Sequence, residues 1–337
     1  MKAVGYRQSL PIAEAESLID VELSDPKPSG RDLLVQVKAV SVNPVDTKVR
    51  MRQAPQAGET NVLGWDAAGV VVAMGSEAHL FKPGDEIWYA GSLVRPGTNA
   101  ELHLVDERIV GKKPKSLDFA QAAALPLTTI TAWELLFDRF GVLPGKRATD
   151  ESLLIIGAAG GVGSILTQLA RRLTAMTVIG TASRKETADW VLSLGAQHVI
   201  DHTKPLSAEL KRVGIAAVTH VASLTQTDAH FPEIVESLAP QGKFGLIDDP
   251  KPIDINQLKR KSISLHWELM FTRPLFGTAD MIAQHRLLSE VAELVDAGVI
   301  RTTFGAHFGR IDAQNLKRAH ALIESGKAKG KIVLEGF

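Results

Sequence analysis

Between residues 33 and 110 the apolar positions come in short or alternating runs, LLVQVKAVSV, AAGVVVAMG, DEIWYAG and AELHLV, separated by turns such as KPGD and RPGTN. Alternation with a period of two, broken by Gly, Pro and Asp, predicts β-strands in a barrel-like or sandwich unit. FAQAAALPLTTITAWELLFDRF then reads as two helical pieces interrupted at Pro126. Beyond it the rhythm changes. Strand-like SLLII (152–156) precedes helical SILTQLARRL, and TVIGTA, HVID and AVTHVA precede helical KETADWVLSL, SAELKRV and HFPEIVESL. KFGLI follows, and SISLHWELMF (262–271) is a candidate sixth strand. Strands alternating with helices predict an α/β, doubly wound parallel sheet covered on both faces, because each parallel neighbour needs a crossover. The last stretch, with helical LLSEVAELVDAG and AQNLKRAHALIES and strand-like TTFGAHFG and GKIVLE, leaves that rhythm and is a candidate return to the first unit.

Composition narrows the chemistry. The 337 residues are 45% hydrophobic and balance 38 basic against 38 acidic side chains, so no net charge draws the chain to nucleic acid or an anionic membrane. There is no cysteine, which removes disulfides, thiolate nucleophiles and every cysteine-built zinc site. The opening MKAVGYRQSLPIAEAESLID lacks the apolar core of a signal peptide, and no run approaches the length of a membrane span. The expectation is a cytoplasmic protein acting on a small molecule, with no nucleic-acid or membrane partner.

The sharpest local signal is LLIIGAAGGVGS, residues 153–164, where a buried-looking strand runs into a turn of tiny residues. It departs from GxGxxG because Ala158 replaces the first glycine of the triplet, and its weight comes from joining the first strand of the βα series to a helix. Gly157, Ala159, Gly160, Gly161, Val162 and Gly163 are therefore expected to cradle a pyrophosphate at a helix N-terminus. At the end of the next strand, where an acid would accept the ribose 2′-hydroxyl of NAD, the chain reads GTASRKE. Ser183 and Arg184 suit a 2′-phosphate, which favours NADP(H).

With these motifs in place, the chain resembles a medium-chain dehydrogenase/reductase, similar to the quinone-oxidoreductase-like branch and to zinc-type alcohol dehydrogenase-like proteins. VSVNPVDTKVR, LGWDAAGVVVAMGS, FKPGDEIW, AAALPLTTITAW, GAAGGVGS, LGAQHVID and GKIVLE occur in family order over nearly the whole length. The resemblance implies a GroES-like, mostly-β catalytic domain from residues 1–127 and 271–337 around a Rossmann domain at 128–270. It also implies where zinc members place ligands: a Cys at Asn43, a His-Glu pair at Trp65-Asp66, and a third ligand near Leu127. Amide, indole and isobutyl groups do not make a catalytic zinc site, so a metal-free protein is expected.

Without a metal a plain carbonyl is poorly activated, whereas a quinone or an α,β-unsaturated carbonyl is electrophilic already. Hydride transfer from NADPH to such an electron acceptor is the expected activity. A zinc-dependent alcohol dehydrogenase and a non-enzymatic NADPH-binding protein are the alternatives. The resemblance puts Asn43, Asp46 and Trp65 at the catalytic end. It puts Thr131, His202, Ser223, Asp249 and Lys331 beside the coenzyme, with Asn43 shared between the two. Asp66 has lost its metal and is expected in a salt bridge or hydrogen bond. The apolar SISLHWELMF edge suggests a homodimer.

Overall fold

The computed structural model describes residues 1–146 and 150–337. The chain divides into two compact units, Met1–Ile130 with Phe271–Phe337, and Thr131–Met270.

The first unit opens with β1 (Lys2–Tyr6), β2 (Ile19–Glu22), β3 (Asp32–Val42), α1 (Pro44–Arg52), β4 (Asn61–Val62) and β5 (Ala67–Met74). β6 (Glu86–Tyr89), β7 (Leu102–Asp106), β8 (Val110–Lys112), α2 (Phe119–Ala123) and α3 (Pro126–Trp133) follow, and α3 runs on as a π-helical turn at Glu134–Arg139. The alternating run that begins at Leu33 becomes β3, the longest of these strands, which pairs antiparallel with β5 and β7. At its end Pro44 occupies the first helical position of α1, where its missing N–H costs nothing.

The second unit contains β9 (Ser152–Ile156), α4 (Gly161–Leu173), β10 (Thr177–Thr181), α5 (Lys185–Ser193), β11 (His198–Ile200), α6 (Leu206–Arg212) and β12 (Val218–Ser223). α7 (Thr227–Ser237), β13 (Leu238–Leu246) and β14 (Ser264–Trp267) complete it. Its sheet has the order β11-β10-β9-β12-β13-β14, with every pairing parallel. β9 is buried at all five positions, as a strand covered on both faces must be, and Leu154, Ile179, Val221 and Phe244 join one apolar core. Trp190 on α5 donates its indole N–H to Ser164 Oγ on α4 at 2.8 Å, tying the two helices together.

The sixth strand is shorter than the apolar run 262–271. It starts after Ser262, which holds a left-handed conformation at φ 51°, and stops at Trp267, one residue before Glu268, which accepts from Arg139.

The chain then returns to the first unit through α8 (Thr272–Phe276), α9 (Ala283–Asp296), β15 (Phe304–His307), α10 (Ala313–Glu324) and β16 (Lys331–Glu335). β16 pairs antiparallel with β3, placing Ile332 opposite Val42. Among the described residues no helix is long and apolar enough to cross a membrane.

Candidate functional site

Two constellations, one in each unit, carry the candidate chemistry. In the first unit Asn43 follows β3 and caps α1, and its backbone N–H donates to Asp46 Oδ2 at 2.8 Å. Its side-chain NH2 donates to Asp66 Oδ2 at 2.8 Å and to Ser41 O at 3.3 Å. Lys331, the first residue of β16, donates to Asp66 Oδ2 at 3.0 Å, to Val42 O at 3.1 Å and to Asn43 Oδ1. Asp66 also accepts the Leu127 backbone N–H at 2.7 Å, anchoring the first turn of α3. Asn43, Asp46, Asp66 and Lys331 are all buried.

Burial pushes the Asp46 carboxyl up to about 7, against the pull of the Asn43 N–H and the Lys331 charge. Burial also raises Asp66, opposed first by Lys331 and then by Asn43. All the hydrogen bonds of Asp66 named above are received, which is the pattern of a carboxylate paired with an ammonium.

Trp65 lies beside this cluster in sequence but is itself core: it is buried, donates to Ser92 O at 3.1 Å, and meets Phe271 edge-on with ring centroids 6.3 Å apart. A wall of the site is a role open to it; an exposed platform is not.

In the second unit the glycine turn links β9 to α4. Gly157 has φ 83°, a conformation that favours glycine, and its N–H donates to Thr181 Oγ1 at 3.1 Å. At Gly163 a Cβ would lie 2.5 Å from both Ala158 Cα and Gly157 O, so no side chain fits. Ala159, Gly160, Gly161 and Val162 are partly open to solvent, and Gly160 is the N-cap of α4. This bare helix start, with no side chain over its amides, fits the phosphate of a dinucleotide.

Ser183 and Arg184 are exposed just past β10, with Arg184 capping α5. The adjacent parallel strand β11 ends at Ile200, so His202 follows the neighbouring strand end. The ring of His202 meets that of His230 on α7 at 6.1 Å between centroids, a partner that no motif announces.

The remaining expected residues divide. Ser223 is fully buried at the end of β12, and its hydroxyl bonds Thr227 Oγ1 at 2.7 Å, which Asp248 in turn accepts at 2.6 Å. Ser223 is thus the first member of a hydrogen-bonded chain that ends on Asp248. Thr131 is buried, and Asp249 is exposed after β13. Lys331 is assembled with Asn43 and Asp66, and its three N–H groups are directed at Val42 O, Asn43 Oδ1 and Asp66 Oδ2.

Comparison with known proteins fits this geometry. Residues 29–115 match a model described as an alcohol dehydrogenase GroES-like domain, and residues 194–334 match one described as a zinc-binding dehydrogenase. A zinc-type alcohol dehydrogenase-like protein of Staphylococcus aureus (strain MSSA476) is 39% identical, with 99% of each chain covered. The chain belongs to the medium-chain dehydrogenase/reductase superfamily.

Within that superfamily, the crystal structure of a candidate zinc-dependent alcohol dehydrogenase from Rhizobium etli CFN 42 shares 59% identity at TM-score 0.96, covering 100% of this chain and 98% of the other. Escherichia coli quinone oxidoreductase, solved with NADPH, shares 25% identity at TM-score 0.84 over 99% of this chain and 100% of its own. These relatives make the chain an oxidoreductase of two domains, one GroES-like and one Rossmann-like.

The zinc in the family's description does not suit the residues present. The polar cluster offers one carboxylate already bonded to an ammonium, an amide whose oxygen faces that ammonium, and a second carboxylate engaged in capping α1. Among the described residues no three His, Asp or Glu side chains gather as a ligand set. A cation placed beside Lys331 would meet its charge at contact distance, which disfavours zinc there.

Proposed function

We propose that the protein is an NADPH-dependent reductase that delivers hydride to a quinone or an α,β-unsaturated carbonyl without a metal. The observation that carries this reading is the Lys331 ammonium on Asn43 and Asp66, where a metal enzyme of this superfamily would need free donors. The zinc-free reading then favours an acceptor activated by its own conjugation.

Gly157, Gly160, Gly161 and Gly163 would hold the pyrophosphate, with the open amides of α4 donating to it, and Ser183 and Arg184 would hold the 2′-phosphate. Bound NADPH supplies a hydride equivalent from nicotinamide C4. The chain's own residues orient and enclose: Asn43, locked by Lys331 and Asp66, presents a fixed amide, and Trp65 and Phe271 form an apolar wall that excludes water. Asp46, raised to about 7, retains a proton over part of the neutral range while it accepts the backbone N–H of Asn43. NADPH binding by an E. coli quinone oxidoreductase of the same fold supports the coenzyme assignment. The edge strand β14, with Trp267 exposed, supports a homodimer built by pairing that edge with a second copy.

The deciding experiment follows NADPH oxidation with a panel of quinones, enones, aldehydes and ketones, with and without chelator, beside elemental analysis. Chelator-insensitive turnover confined to quinones or enones is the expected result. Stoichiometric zinc with chelator-sensitive alcohol oxidation would replace this reading with the one carried by the relatives' names.

A further inference from the structure

Lys331 is 3% exposed, yet its charge is fully served. An ammonium has three N–H donors, and here they meet three oxygens drawn from the junction of β3 with α1 and from the loop before β5: Val42 O, Asn43 Oδ1 and Asp66 Oδ2. Buried charges persist where they are paired and hydrogen-bonded in this way.

One of these contacts, together with the bond from Asn43 to Asp66, fixes the Asn43 amide. Its oxygen faces Lys331 and its NH2 faces Asp66, 2.8 Å away. Turned over, it would point N–H at an ammonium and oxygen at a carboxylate, so both neighbours reject the flipped form. Lys331 reaches this place only because β16 pairs with β3 at Ile332 and Val42.

We propose that Lys331 is the positioning residue of the catalytic unit: its ammonium fills an oxygen-lined cation site and sets the direction in which Asn43 presents its amide. The kinetic consequence rests on the reductase reading given above; the binding consequence does not. A residue acting through Asn43 changes turnover, while coenzyme affinity, which belongs to the glycine turn, stays as it was.

The test removes the side chain and returns its charge. Lys331→Ala, in the full-length protein, deletes the fragment that n-propylammonium replaces. Thermal-shift titration with n-propylammonium is expected to give saturable stabilisation of Lys331→Ala and none of the wild type, with n-propanol inactive on both. In the NADPH assay the variant is expected to lose about tenfold to a hundredfold in kcat, the usual scale for a misplaced active-site group, with KM for NADPH within about twofold of wild type. Part of the lost kcat returns with n-propylammonium.

An unchanged kcat, or a thermal response to n-propylammonium no greater than that of the wild type, overturns the proposal. Should Lys331→Ala fail to fold, the Asp66→Asn/Lys331→Met double variant removes both charges together. It is expected to fold with reduced kcat and unchanged KM for NADPH, and wild-type kcat in it overturns the proposal equally. A wild-type protein without reductase turnover would sink the functional reading alone, since the propylammonium titration needs no turnover.

Discussion

Glu268, just past the edge strand β14, accepts the Nε–H of Arg139 at 2.8 Å while Glu134 lies 3.8 Å from the same guanidinium, so two buried carboxyls share one cation. Glu134 is fully buried and Glu268 is 2% exposed. Burial, and then the charge of Glu134, push Glu268 from its ordinary value of 4.5 up to about 9. The folded state therefore holds this proton more tightly than the unfolded chain. The stabilisation it brings is complete below pH 4.5 and is lost as pH rises through about 9. Denaturant unfolding between pH 5 and 9 should show stability falling by up to about 1.4 kcal/mol per pH unit from this group. Glu268→Gln should flatten that slope, and an unaltered slope would show that the pair ionises without cost.

Gly163 admits no side chain, because a Cβ there meets Ala158 Cα at 2.5 Å. Gly163→Ala should destabilise the protein by about 1–3 kcal/mol through overpacking. It should also weaken NADPH binding, since the start of α4 must move. Calorimetry and a fluorescence titration of NADPH read the two effects separately. A variant with wild-type Tm and affinity would show that the turn has slack.

Arg184 stands exposed at the N-cap of α5, past the second strand of the sheet. If it binds a 2′-phosphate, Arg184→Ala should lower kcat/KM for NADPH by about tenfold, the worth of one charged hydrogen bond, and leave NADH nearly untouched. Equal losses with both coenzymes would assign Arg184 to the fold instead.

Trp267 is 55% exposed on the open edge of the six-stranded sheet. Placing a charge there by Trp267→Glu should shift light-scattering mass from dimer toward monomer while the circular dichroism stays unchanged. A wild-type mass of one chain would remove the edge-pairing proposal.

Much of the architecture was legible because it depends on local rules. Apolar runs that alternate with helical segments specify a parallel sheet wherever they occur, and the glycine turn announces itself by sitting between a strand and a helix. The polar cluster was only half legible. Asn43 and Asp46 stand three residues apart around Pro44, so their capping geometry is local. Lys331 is singled out only by the family resemblance, as a neighbour of the coenzyme, and nothing near it in sequence says that its ammonium meets oxygens of residues 42, 43 and 66. His230 and the Glu134–Arg139–Glu268 group were missed for the same reason: each is assembled by packing between distant segments, and no spacing encodes it. Trp65 shows the opposite limit, where a residue in a motif turns out to be packed core.

The pairing of β16 with β3 has a consequence for biogenesis, because it sets Glu335 opposite Ala39, residues far apart in the chain. On the ribosome, the Rossmann-like unit can close on itself before residues 331–335 are made, whereas the sheet of the GroES-like unit waits for them. Translation halted before residue 331 would therefore release a half-finished protein with one sound domain, and quality control would meet residues 39–42 of β3 without their β16 partner.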